Sequence, residues 1–131
     1  MNPHKVDRHH LHQLTDLPNV GPAAAEDLRR IGIRTPSHLA GRDAYDMYAQ
    51  LCLTTGVQHD PCVIDVFLSV TRFIAGDDAR PWWDYTAERK RVLATDPGAR
   101  KDFHAFAKQT GNQLLADSEV DQAFEFYFRR K

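Results

Sequence analysis

The sequence predicts an all-α protein, and three observations carry that prediction. Helix starts marked by a polar residue followed by proline recur along the chain, at Thr35-Pro36, Asp60-Pro61 and Asp96-Pro97. Apolar residues repeat at three- and four-residue spacing, the period of a helix that buries one face. No stretch shows the strict alternation expected of a half-buried strand.

In chain order, Val6 to Thr15 is polar, with Val6, Leu11 and Leu14 as apolar marks, and is read as a first helix. His9, His10 and His12 crowd it, and solvated surface imidazoles are a simpler account of them than chelation. Leu17-Pro-Asn-Val-Gly21-Pro then reads as a tight turn into a second helix, so the opening resembles a helix-hairpin-helix motif. Pro22 sits where a missing N–H costs nothing, at the first helical position. The second helix runs from Pro22 to Arg30, with Ala25 and Leu28 on its buried stripe, and small alanines suit close helix–helix approach. Gly32 is expected as a left-handed cap that lets Ile33 fold back onto the core.

Thr35-Pro36 opens a short helix to about Ala40. Asp43 caps the next, reaching Leu53, with Ala44, Met47, Tyr48, Leu51 and Cys52 facing inward. Gly56 marks a break. From Cys62 to about Ala75 the apolar residues cover more than one face, which predicts the central, most buried helix. A second, degenerate hairpin through Thr54-Thr55-Gly56-Val57 would join these two helices. Trp82 and Trp83 follow Pro81 and are read as plugs closing a small core, with an exposed anchor as the alternative. Thr86 caps a short basic helix to Arg91 or Leu93. Asp96-Pro97 and Ser118-Glu-Val-Asp121 open two further helices, the second bearing Phe124, Phe126, Tyr127 and Phe128, a face for core docking or for pairing with a second copy.

The 131 residues carry 42% hydrophobic and 27% charged side chains, enough to bury a core, and a formal net charge of −1. That balance argues against strong, salt-dependent nucleic-acid affinity. Cys52 and Cys62 are too few for a disulfide framework. No apolar run approaches the roughly 20 residues that span a bilayer, and the N-terminus lacks a signal-peptide core. A cytoplasmic protein without membrane attachment is expected.

Several runs together resemble the bacterial pathogenicity-locus family of small helix-hairpin-helix proteins, also labelled mitomycin-resistance proteins. They are Leu17-Pro-Asn-Val-Gly21-Pro-Ala, Leu28-Arg-Arg-Ile-Gly32-Ile33-Arg-Thr35, Leu51-Cys52-Leu-Thr-Thr-Gly56, His59-Asp60-Pro61-Cys62-Val-Ile-Asp65 and Pro81-Trp82-Trp83-Asp-Tyr-Thr86-Ala-Glu-Arg-Lys90. More distantly, the first half looks like the C-terminal domain of TfoX-type competence regulators. The resemblance implies a compact SAM-like bundle of about five helices over residues 1–94 and a link to DNA. Residues 95–131 would be a C-terminal helical extension, packed on the core or used for association.

Backbone amides at Asn19, Val20, Gly21 and Ala23 would contact phosphate oxygens without reading sequence, with Arg29, Arg30 and Arg34 in support and Lys5 and Arg8 behind them. Glu26 and Asp27 bring the wrong sign, so the expected DNA binding is weak. The alternative is a protein-interaction or self-associating module with a purely structural hairpin. A third reading uses the spacing of Cys52, His59 and Cys62 for zinc, with His38 or Asp60 as fourth ligand, or Cys62 as an activated thiol at a helix N-terminus. No metal is favoured over buried thiols, and no cofactor is expected. With no P-loop, nucleophile elbow or paired carboxylates, no enzyme activity is expected.

Overall fold

The computed structural model describes residues 1–95. These residues are all-helical, without a strand, and comprise four α-helices and four short 3-10 turns. The helices are α1 (Pro22–Arg30), α2 (Ala44–Thr55), α3 (Cys62–Ile74) and α4 (Thr86–Thr95). The turns are Pro3–Lys5, Leu14–Asp16, Pro36–Leu39 and Trp82–Tyr85. The helices expected from Asp96 and Ser118, and the extension they would form, lie outside the described residues. None of the described helices is long and apolar enough to cross a membrane.

The expected first helix is the main correction. Val6 to Gln13 is not helical, and only the 3-10 turn Leu14–Asp16 precedes the hairpin. The reason is local competition for backbone donors. The Asp7 carboxylate accepts from the His9 N–H at 2.9 Å. That of Asp16 accepts from the N–H groups of His12 and Gln13 at 2.8 and 3.0 Å. Arg8 is drawn away to α3, where it donates to the carbonyls of Phe73 and Asp77 and stacks on the Phe73 ring at 4.0 Å. The arm is therefore fastened by side chains rather than by a helical ladder.

From the hairpin onward the local rules hold. Proline occupies the first position of α1, and left-handed Gly32 ends it. Gly32 N–H donates to Arg29 O, and Ile33 N–H donates to Leu28 O. This pairing answers two otherwise orphaned carbonyls and returns the fully buried Ile33 to the core. Asp43 caps α2 by accepting from Tyr45 N–H. The inward residues of α2 are Ala44, Met47, Tyr48, Leu51 and Cys52, as the spacing requires. Gly56, left-handed at φ 75°, closes α2.

Helix α3 is the centre. It packs against α2, α4 and the turns Pro36–Leu39 and Trp82–Tyr85, and it buries Ile64, Phe67, Leu68, Val70 and Phe73. Each such side chain contributes roughly 1.5–3 kcal/mol of burial free energy. One charged residue lies in that apolar set. Asp65 is fully buried, and α4 supplies its partners. Arg89 donates from Nε to Oδ1 at 3.0 Å and from Nη2 to Oδ2 at 3.2 Å, and Thr86 Oγ1 donates to Oδ2 at 2.7 Å. Nearer the surface, Arg72 of α3 grips Glu88 of α4 with both guanidinium nitrogens.

Truncating one member of the Asp65–Arg89 pair strands the other charge in the interior. Asp65→Ala is therefore expected to lower unfolding free energy by about 3–5 kcal/mol. Replacing both members, as Asp65→Leu with Arg89→Met, should recover much of that loss. Urea denaturation of the full chain measures both effects.

Candidate functional site

The hairpin sits where the N-terminal arm, α1 and the loop after α3 meet. Asn19 holds them together. Its backbone is left-handed at φ 66°, a conformation asparagine tolerates better than most residues. Asn19 N–H donates to the Met1 carbonyl at 2.7 Å, while Nδ2 donates to Ser69 Oγ of α3 and to the Arg80 carbonyl. The Met1 amine donates to the carbonyls of Leu17 and Val20. Asn19 and Val20 are thus structural, and Val20 is buried.

Gly21 is different. Its φ of −102° is extended backbone open to any residue, so glycine is not required by conformation. Nor is glycine required by space: a Cβ placed there would meet no atom within 4 Å, so the start of α1 is uncovered. The hydrogen bonds at the start of α1 begin with Ala25 N–H donating to Gly21 O. Among the described residues, the N–H groups of Gly21, Ala23 and Ala24 receive no acceptor. All three residues are exposed or half-buried.

The cations assigned to this face do not gather on it. Arg29 pairs with Glu26 at 3.3 Å and Arg30 with Asp27 at 3.1 Å, each one turn away on α1. Arg8 is committed to α3. Arg34 is exposed, and its backbone N–H donates to His38 Nδ1. Exposed ion pairs of this kind contribute little stability, but each sets an acid beside the cation that an approaching phosphate would meet.

The cysteine–histidine set does not converge. Among the described residues, no three His, Cys, Asp or Glu side chains stand close enough to hold a metal ion. His59 N–H donates to Cys52 Sγ at 3.5 Å, and the His59 ring Nε2 pairs with Thr55 Oγ1 at 2.8 Å. Cys62 Sγ faces the Arg89 guanidinium at 3.7 Å. The alternative of an activated Cys62 gains no support. Burial, then the hydrogen bond with Asp60, pushes its thiol up to about 11. Burial raises Cys52 similarly, to about 11. Burial also holds His59 below the usual imidazole range.

The tryptophans divide. Trp82 is half-buried, whereas Trp83 is 62% exposed, so the plug reading fails for Trp83. Buried Tyr85 takes that role. The two indoles meet edge to face at 5.6 Å between centroids. With Pro3, His4, Asn19 and Pro81 they line an open groove of about 430 Å³ beside the hairpin. The sequence signal for this groove was the Pro81-Trp82-Trp83 run. Its juxtaposition with Pro3, His4 and Asn19 has no local signature, since it joins residues more than sixty positions apart.

Comparison with known proteins follows this geometry. A family model described as "Pathogenicity locus" matches residues 7–91. Mitomycin resistance protein McrB of Streptomyces lavendulae is 43% identical over 81 residues, covering 62% of this chain and 77% of that protein. Sulfur carrier protein TusA of Allochromatium vinosum is 54% identical over 39 residues, 30% of this chain and 51% of that protein. A putative sulfur carrier of Neisseria meningitidis is 52% identical over 40 residues, again 30% of this chain and 54% of its own length. The chain thus spans about half the length of these two carriers. No solved structure matches.

Two outcomes follow from this geometry. Asn19→Ala should cost about 2 kcal/mol, from two lost side-chain hydrogen bonds and a left-handed alanine. Gly21→Ala should stay within about 0.5 kcal/mol of the parent, because the site is open. Denaturant midpoints separate the two. For His59, the folded state refuses a proton that the unfolded chain accepts. Its contribution is complete above the ordinary pKa of about 6.5 and is lost as pH falls toward the lowered folded value. His59→Gln should flatten the part of the stability profile that falls away below pH of about 6.5.

Proposed function

The chain belongs to the pathogenicity-locus family, and from that premise we propose that it is a non-enzymatic module that binds nucleic acid weakly and without sequence preference. The observation that carries the reading is the set of three unpartnered amides, Gly21, Ala23 and Ala24, at the uncovered start of α1. Amides at a helix N-terminus suit a phosphate oxygen, and the helix dipole favours its charge. Phosphate contacts of this kind position a nucleic acid and carry no sequence information. Because Arg29 and Arg30 are already paired with acids, few counterions are released on binding. Affinity should therefore be modest and should depend only shallowly on salt. The SAM-like helix-hairpin-helix arrangement and the distant likeness to TfoX-type domains belong to the same proposal.

A second reading, a protein-interaction module, is favoured by one observation. Trp83 is exposed beside a groove rich in proline and aromatic surface, and such residues are common interface anchors. Sulfur transfer, named for two relatives, is not carried over. Covalent sulfur carriage needs a reachable thiolate. Cys52 is buried, and both thiols are raised to about 11.

Fluorescence anisotropy with labelled DNA at low salt tests the nucleic-acid reading. Binding should weaken only shallowly as salt is raised, because few phosphates are neutralised, and Gly21→Glu should abolish it by placing a carboxylate over the open amides. Absence of binding at the lowest salt, or indifference to Gly21→Glu, removes the proposal.

A further inference from the structure

We infer that the groove between the N-terminal arm and the tryptophan pair takes an unstacked nucleobase, so that single-stranded nucleic acid is preferred over duplex. This inference rests on the nucleic-acid reading above and specifies its substrate class. Trp83 presents most of its indole to solvent, and Trp82 meets it edge to face rather than stacked on it. An indole held in that way leaves ring surface for a third flat group, and stacking on an aromatic side chain is how sequence-tolerant proteins hold single strands.

The position of the groove fits that occupant. Asn19 forms one wall and lies two residues before Gly21, so groove and open amides are neighbouring parts of one surface. The charge of the lining fits as well. In a chain with net charge −1, the residues lining the groove include no carboxylate, and they include the imidazole of His4. Lys5, next along the arm, is exposed. Within the groove itself a phosphate would meet no acid. Duplex DNA cannot use the groove in this way, because its base faces are already stacked within the helix. The groove walls are also held in place without a ligand. The Asn19 side chain is bonded to the carbonyl of Arg80, which immediately precedes Pro81, so little ordering accompanies binding.

The two tryptophans of the chain are Trp82 and Trp83, both in the groove, so intrinsic emission reports on this site alone. The full chain would be titrated at low salt with an oligothymidylate, with a duplex of equal length and with a proline-rich peptide. Emission and anisotropy would be followed together. The expected result is quenching by the oligothymidylate, tighter binding to it than to duplex, and a loss of about fivefold or more in Trp83→Ala. Trp83→Phe should retain most of the affinity, and duplex binding should be unchanged by either variant.

Equal or tighter duplex binding, or indifference of single-strand binding to Trp83→Ala, overturns this inference and leaves the amide-docking proposal standing. No binding to either nucleic acid ends both. Quenching by the peptide alone overturns both in favour of a protein partner.

Discussion

The carboxylate of Asp65 stands fully buried in the most apolar of the described helices, and the placement of α4 depends on how that charge is answered. Arg89 reaches it with two nitrogens and Thr86 with a hydroxyl, all from α4. An apolar contact between α3 and α4 could slide by a turn at small cost. A bidentate ion pair with a third hydrogen bond cannot, because any other register leaves a buried charge unpaired. The Arg72–Glu88 pair repeats the constraint closer to the surface. Fixing α4 also fixes the turn Trp82–Tyr85 that runs into it. Tyr85 then goes into the core and Trp83 out to solvent.

The same economy of polar groups governs the other end of the bundle. Arg8, Asp16 and Asn19 each bond to backbone atoms of segments that would otherwise have no ladder to join. The hairpin is thus held by side chains on its N-terminal side and by a regular helix on its C-terminal side. What remains unclaimed is the first turn of α1. Count of charge is a poor guide here: several basic residues lie near the hairpin, yet Arg8, Arg29 and Arg30 are already spoken for.

Much of this architecture was legible locally. The stop at Gly32, the cap at Asp43 and the start of α3 after Asp60-Pro61 each follow from interactions within a few residues of the signal, so sequence shows them. The inward face of α2 was legible because its period matches one buried stripe. The arm before the hairpin was not. Val6, Leu11 and Leu14 suggested a helix, but the bonds that deny it include contacts from Arg8 to residues on α3 far along the chain.

Sequence by itself determined the helical class, the starts of α1 to α3 and most of their inward positions, because caps, prolines and apolar spacing act over one or two turns. Tertiary structure alone decided which polar residues are free to function. Among the described residues no metal site closes around Cys52, His59 and Cys62, Trp83 is left outside while Tyr85 is taken in, and Asn19 serves the fold while the amides after it stay open. The physical reason is that a side chain's availability depends on partners distant in sequence, and spacing does not record them.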